Sequence, residues 1–104
     1  MTVWHPAFPL AELAPGRMRA LALGAREILI CRTPSGCFAL DNTCTHAEAR
    51  MVEGRLRGTR LVCPLHGAAF DVCSGAVLAG PATVPLPTHA LRIVDGRIEV
   101  GLAE

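Results

Sequence analysis

The segment CTHAEARMVEGRLRGTRLVCPLHG, from Cys44 to Gly67, carries two Cys/His pairs and decides how the rest of the chain is interpreted. Cys44 and His46 have one residue between them, Cys63 and His66 have two, and sixteen residues separate the pairs. Thiolate sulfur and imidazole nitrogen are good ligands for both zinc and iron. The segment therefore predicts a metal centre with Cys44, His46, Cys63 and His66 as its candidate ligands.

The spacing within each pair bears on which metal the ligands bind. Structural zinc sites usually take their ligands from C-x₂₋₄-C or H-x₃₋₅-H segments, and the C-x-H spacing here is tighter. Because each pair is mixed, one loop can give its Cys to one iron and its His to another, which suits a [2Fe–2S] unit with two thiolates on one iron and two imidazoles on the other. A zinc-stabilised interaction module stays open as the alternative at this point.

Length, charge and cysteine usage limit the class of protein. The chain has 104 residues, of which 51% are hydrophobic, and this predicts a single globular domain. A net charge of +1 gives no electrostatic reason to expect nucleic acid or a membrane surface as a partner. No segment is typical of a signal peptide or is long enough to span a bilayer. We therefore expect a cytoplasmic protein whose five cysteines are free thiols or metal ligands rather than disulfides.

Hydrophobic alternation and turn residues predict an all-β fold made of short strands. Pro34 and Gly36 mark the turn of one hairpin, and the pair Asp95-Gly96 supplies the positive φ angles that a tight second hairpin needs. Only FPLAEL (Phe8–Leu13) looks helical, over a turn or two. The predicted strands are GRMRALAL (Gly16–Leu23), REILICR (Arg26–Arg32), CFALD (Cys37–Asp41), ALRIV (Ala90–Val94) and RIEVGL (Arg97–Leu102).

The Cys/His segment reads as an insertion between these strands. Gly54, Gly58, Gly67 and Gly75 interrupt it, and it shows no long periodicity. We therefore expect it to build no apolar core of its own and to be ordered by the bound metal centre.

Beyond the ligand pairs, the chain resembles a known family over most of its length. Cys44-Thr45-His46 and Cys63-Pro64-Leu65-His66-Gly67 match the Rieske signature C-x-H…C-x-x-H. The sequence VEGRLRG between the pairs, CPLHGAAFDVCSGAVLAGPA and the final Asp-Gly hairpin are similar to the soluble Rieske-type ferredoxins of bacterial ring-hydroxylating dioxygenase systems. The resemblance runs from about Trp4 to Val100.

The resemblance implies the Rieske iron–sulfur fold, with three antiparallel sheets and an inserted cluster-binding subdomain. Residues 1–104 would form one Rieske domain, with a base of about 1–42 and 73–104 and a cluster-binding subdomain of about 43–72. It further implies one [2Fe–2S] cluster, with Cys44 and Cys63 on the inner iron and His46 and His66 on the outer iron through Nδ1. A third loop, around Gly80-Pro81, would cover the cluster.

Three departures from the high-potential branch of the family imply a low reduction potential. That branch has an extra Cys in each cluster loop, joined by a disulfide, where this chain has Leu65 in the second loop and none in the first. It also has Ser and Tyr hydroxyls that donate to the cluster sulfurs, where this chain has Ala68 and Phe70. We therefore expect a potential of about −150 mV, at the low end of the Rieske range.

The function that the resemblance implies is that of a one-electron carrier and not of an enzyme by itself. It would be a monomer that passes electrons from a flavin-dependent ferredoxin reductase to the terminal oxygenase of an aromatic-ring dioxygenase system. The small Rieske subunit of an assimilatory nitrite reductase is the alternative. Between the ligand pairs lie four arginines, which are either a steering patch for an acidic partner or a solvated face: Arg50, Arg55, Arg57 and Arg60.

Overall fold

The computed structural model describes residues 1–104, and short strands make up most of its regular structure. Two 3₁₀ turns, Leu10–Glu12 and Met51–Glu53, are the only helical elements. The strands are β1 (Thr2–Pro9), β2 (Met18–Leu23), β3 (Arg26–Thr33), β4 (Gly36–Asp41), β5 (Arg55–Arg57), β6 (Arg60–Val62), β7 (Ala69–Asp71), β8 (Val77–Ala79), β9 (Thr88–Val94) and β10 (Arg97–Ala103).

The strands form two antiparallel sheets. The larger has the order β1-β10-β9-β4-β3-β2, and the smaller has the order β5-β6-β7-β8. Within the larger sheet, β4 and β9 are joined only through the pairs Ala39–His89 and Leu40–Thr88, so its two three-stranded halves are nearly separate. With the smaller sheet, these halves account for the three sheets expected, and the all-β prediction is confirmed.

Both predicted hairpins are present. β3 and β4 pair from Ile28–Asp41 to Thr33–Gly36, on either side of the predicted turn. β9 and β10 pair around Asp95 and Gly96, whose φ angles are +49° and +75°. Two successive left-handed residues give the turn a twist that matches the twist of the flanking strands.

The helical prediction for Phe8–Leu13 is wrong over half of its length. Phe8 and Pro9 end the strand β1, and only Leu10–Glu12 forms a 3₁₀ turn. β1 lies at the edge of the sheet, where the missing N–H groups of Pro6 and Pro9 break few hydrogen bonds, and the register of β1 shifts between these two prolines.

Two apolar cores lie in the fold. The first lies within the larger sheet, around side chains such as Ile28, Ile98 and Val100. The second is shared by the two sheets: Leu29 and Leu40 of the larger sheet pack with Met51, Leu61 and Phe70 of the segment between and after the Cys/His pairs.

The Cys/His segment thus buries its apolar side chains in a core that it shares with the larger sheet, not in one of its own. Met51, Leu61 and Phe70 are all fully buried, and β5, β6 and β7 give the segment regular structure. The smaller sheet continues to Ala79 in β8. The division of the chain into a base and a cluster-binding subdomain stays a prediction.

None of the helical elements has the length and apolar character that a membrane-crossing helix requires.

Candidate metal centre

The two Cys/His pairs lie in two loops that close in the same way. In the first loop, the N–H of Cys44 donates to the carbonyl of Ala49 at 2.9 Å. In the second, the N–H of Cys63 donates to the carbonyl of Ala68 at 2.7 Å. Each Cys is thus fixed at the base of a six-residue loop, and the two loops present equivalent ligands.

The second loop ends in a tight reversal of the backbone. This loop joins β6 to β7 and turns at His66 and Gly67, whose φ angles are +63° and +74°. A positive φ is uncommon for a residue with a side chain and, where it occurs, often marks a functional site. Gly67 takes the conformation without steric cost, and His66 is held at the tip of the loop.

Three of the four predicted ligands are brought together directly. The ligand atoms of Cys44, His46 and Cys63 all lie within 4.8 Å of one another. Cys44 Sγ lies 2.7 Å from His46 Nδ1. The fourth predicted ligand, His66, lies beside His46. Its Nδ1 is 3.4 Å from His46 Nε2, and the centroids of the two rings are 5.6 Å apart.

Exposure increases from the thiols to the imidazoles. Cys44 and Cys63 are 4% and 2% exposed. His46 is half-buried, and His66 is exposed. The site therefore has a sheltered thiol end and an imidazole end that faces the surface.

The electrostatics of the thiol end suit a bound metal. Burial raises the pKa of the Cys63 thiol; the N–H of Leu65, 3.5 Å from Cys63 Sγ, lowers it, and the adjacent Cys44 thiol raises it. Two adjacent buried thiolates repel each other and need a compensating positive charge, which a metal ion supplies when it deprotonates its ligands. Two sulfur and two nitrogen donors in this arrangement fit an iron–sulfur centre with mixed ligation.

Sequence reasoning missed Asn42, which connects the larger sheet to the 3₁₀ turn that follows the first cluster loop. Its side chain is fully buried, donates to the Glu27 carboxylate and accepts the N–H of Val52 at 2.9 Å. The backbone carbonyl of Asn42 also accepts a hydrogen bond from the N–H of Met51 at 2.6 Å. The only available signal is a polar residue directly after an apolar strand and two positions before Cys44.

Replacing Asn42 by Ala is expected to lower the free energy of unfolding by about 2 kcal/mol, because the buried side chain is lost and the part-buried Val52 N–H loses its acceptor. Urea unfolding of the iron-loaded protein measures the effect. The matched control is Glu27→Gln, which changes the other partner of the Asn42–Glu27 hydrogen bond at an exposed position and is expected to cost clearly less than Asn42→Ala. Equal losses in the two variants would contradict the role assigned to Asn42.

The third loop also contacts the site. The hydroxyl of Thr45, between the first two ligands, donates to the carbonyl of Val84 at 2.7 Å. Ala82 is buried in the same core cluster as Cys44. The loop that follows Gly80-Pro81, a cis peptide, thus packs against the first cluster loop.

Comparison with known proteins agrees with this geometry. The model of the Rieske [2Fe–2S] domain family matches residues 3–90. The chain is 35% identical, over 99% of its own length and 100% of the relative's, to the ferredoxin component of the naphthalene 1,2-dioxygenase system of Pseudomonas putida. The chain belongs to the Rieske [2Fe–2S] domain family, and its cofactor is a [2Fe–2S] cluster of that type.

Two solved structures show the same fold. The first is a complex of reduced oxygenase and oxidized ferredoxin in carbazole 1,9a-dioxygenase, with a TM-score of 0.88, 34% identity, and coverage of 93% of this chain and 91% of the other. The second is described as a nitrite reductase small subunit, NADH-dependent, from Mycobacterium tuberculosis, with a TM-score of 0.88, 25% identity, and coverage of 100% and 98%.

Proposed function

We propose that this chain is the low-potential ferredoxin of a ring-hydroxylating dioxygenase system. The observation that carries the proposal is the exposure gradient of the site, since the thiols are buried and His66 reaches the surface. Electron transfer requires a redox group close to the surface on a rigid frame, and the two closed loops supply that frame. Relatives named as ferredoxins of dioxygenase systems support the assignment.

In this proposal, Cys44 and Cys63 hold the inner iron and His46 and His66 hold the outer iron. The [2Fe–2S] cluster supplies a one-electron change of oxidation state. The chain shelters the thiolates from water, keeps the two imidazole ligands in place through the loop hydrogen bonds, and stabilises Cys63 through the N–H of Leu65.

Exposed apolar side chains beside the two cluster loops supply a surface for protein partners. Leu65, next to His66, is 46% exposed, and Val84 on the third loop is 55% exposed. Exposed apolar groups next to a functional group are typical of a transient docking surface. We assign it to two partners in turn, a flavin-dependent ferredoxin reductase and a terminal oxygenase, with a monomeric carrier acting in the cytoplasm.

The small subunit of a nitrite reductase is the second candidate, because the structural match to such a protein spans the whole chain. Stopped-flow mixing of the reduced, iron-loaded chain with each acceptor separates the two functions. Rapid reoxidation by a purified ring-hydroxylating terminal oxygenase is the expected result. Reoxidation only by the large sirohaem subunit of a nitrite reductase would replace the proposal with the alternative.

Replacing Phe70 by Tyr is expected to raise the reduction potential. Phe70 is fully buried in the same core cluster as Cys44 and Cys63. A hydroxyl added to its ring would therefore lie in the core that contains the two thiols. One hydrogen bond to a charged group is worth about 1.5–3 kcal/mol, which sets an upper limit of roughly 60–130 mV for a one-electron couple. A spectroelectrochemical titration measures the shift.

Phe8→Tyr is the matched control for this substitution. Phe8 is a buried Phe of the other core, which contains none of the predicted ligands. The reduction potential of the Phe8→Tyr variant should therefore equal that of the unmodified chain. A shift below about 20 mV in Phe70→Tyr would show that the hydroxyl argument does not apply at this position.

A further inference from the structure

The structure separates the four arginines noted in the sequence into two groups. Arg50 donates to Glu27 at 2.9 Å and lies 3.7 Å from Glu53, so its charge is compensated. Arg55 and Arg57 on β5 and Arg60 on β6 form none of the ion pairs in the structure.

Arg55 and Arg57 line an open cleft of about 520 Å³ together with Arg17, which enters from the start of β2. All three arginines are exposed, and Arg17 likewise has no acidic partner. Three half-buried apolar side chains also line the cleft: Met18, Val52 and Leu56. Three uncompensated charges thus converge on one cleft in a chain whose net charge is only +1.

The pairing of β5 with β6 adds to this positive charge. Arg57 lies directly opposite Arg60, which is also exposed and without an ion pair. Because alternate residues of a strand share a face, Arg55 lies on the same face as this pair. Like charges placed opposite each other destabilise a sheet, and a bound anion would offset that cost.

The position of the cleft leaves the histidines free. β6 leads into Cys63 at one end, whereas Arg57 lies at the other end, beside the turn at Gly58-Thr59. Neither His46 nor His66 lines the cleft. A partner held there can therefore still receive electrons at the imidazole end.

The backbone favours an extended peptide as the occupant. β2 and β5 are each the outermost strand of their sheet, so each has a row of backbone groups without a strand partner. Guanidinium groups bind carboxylates in a bidentate manner. No aromatic side chain lines the cleft to stack on a nucleotide base.

We infer that the cleft between β2 and β5 binds an extended, carboxylate-rich polypeptide segment of a redox partner, as an electrostatic anchor separate from the histidine end. The inference rests on the proposed carrier function for the identity of that partner. The peptide-binding chemistry itself depends only on the cleft.

Binding of a synthetic peptide tests the inference without any redox partner. The probe is a fluorescein-labelled decapeptide of alternating Glu and Val, titrated by fluorescence anisotropy with the iron-loaded chain at low salt. The double variant Arg55→Gln/Arg57→Gln is expected to bind at least about tenfold more weakly than the unmodified chain. Added salt should weaken binding by the unmodified chain more than binding by this variant.

A charge-matched control is available in Arg26→Gln/Arg97→Gln, which removes two exposed arginines without ion pairs from outside the cleft. At about 0.1 M salt, where charges more than about 10 Å from the peptide are largely screened, this control should stay within about twofold of the unmodified chain. Equal weakening in both variants, or no binding by the unmodified chain, would overturn the inference. Displacement of the peptide by an equal concentration of pyrophosphate would also overturn it, in favour of a site for small anions.

The outcome is independent of the carrier proposal. A chain that binds the peptide through Arg55 and Arg57 but fails to reduce a terminal oxygenase would refute the proposed function alone. A chain that reduces the oxygenase but binds no peptide would refute the anchor alone.

Discussion

Replacing Cys63 by Ala is expected to reduce the iron and acid-labile sulfide content of the purified protein by more than about tenfold. Cys63 is 2% exposed and shares the thiol end of the site only with Cys44. In the proposed ligand set, the loss of Cys63 leaves the inner iron with one protein thiolate, and metal binding contributes to folding when the ligands come from separate loops. Colorimetric iron and sulfide assays, with the visible absorption spectrum, measure the loss.

Cys73→Ala is the matched control, since Cys73 is a free, exposed cysteine outside the predicted ligand set. This variant should keep the full iron content and colour. Full iron content in Cys63→Ala, or equal loss in the two variants, would contradict the ligand assignment.

Replacing Gly75 by Ala is expected to lower the free energy of unfolding by about 4 kcal/mol or more. Gly75 has a φ of +78°, and a Cβ built there lies 2.1 Å from the carbonyl oxygen of Leu86. That carbonyl cannot move freely, because the Leu86 N–H donates to Gly75 O at 2.8 Å and the Leu86 side chain is buried. The clash therefore displaces the end of the third loop, which packs against the first cluster loop.

Gly24→Ala separates the backbone cost from the clash. Gly24 has a similar φ of +63°, but a Cβ there has no atom within 4 Å. It should cost only about 1–2 kcal/mol, the price of a left-handed residue with a side chain. Thermal unfolding followed by circular dichroism should show a melting temperature at least about 10 °C lower for Gly75→Ala than for Gly24→Ala. Equal melting temperatures would contradict the close packing of Gly75 on Leu86.

The parts of the structure that were predictable from the sequence depend on local chemistry. Asp95-Gly96 identified a hairpin because few residue pairs adopt two positive φ angles. The Cys/His pairs identified a metal centre because so close a spacing of ligands has few other uses, and the structure brings Cys44, His46 and Cys63 together as expected.

The parts that were missed depend on contacts between distant segments. β1 was partly mistaken for a helix because its pairing partner lies at the other end of the chain, where Thr2 faces Ala103. Arg17 carries no local signal, and only the fold places it in the cleft with Arg55. The role of Asn42 likewise arises from its contacts with Glu27 and Val52.

An EPR-monitored reductive titration of the purified, iron-loaded protein tests the central claim most directly, that Cys44, Cys63, His46 and His66 together hold a low-potential [2Fe–2S] cluster. We predict a rhombic [2Fe–2S] signal that develops near about −150 mV. A signal that develops only at strongly positive potential would contradict the low-potential assignment, and a colourless protein that contains zinc and gives no signal would contradict the electron-transfer function itself.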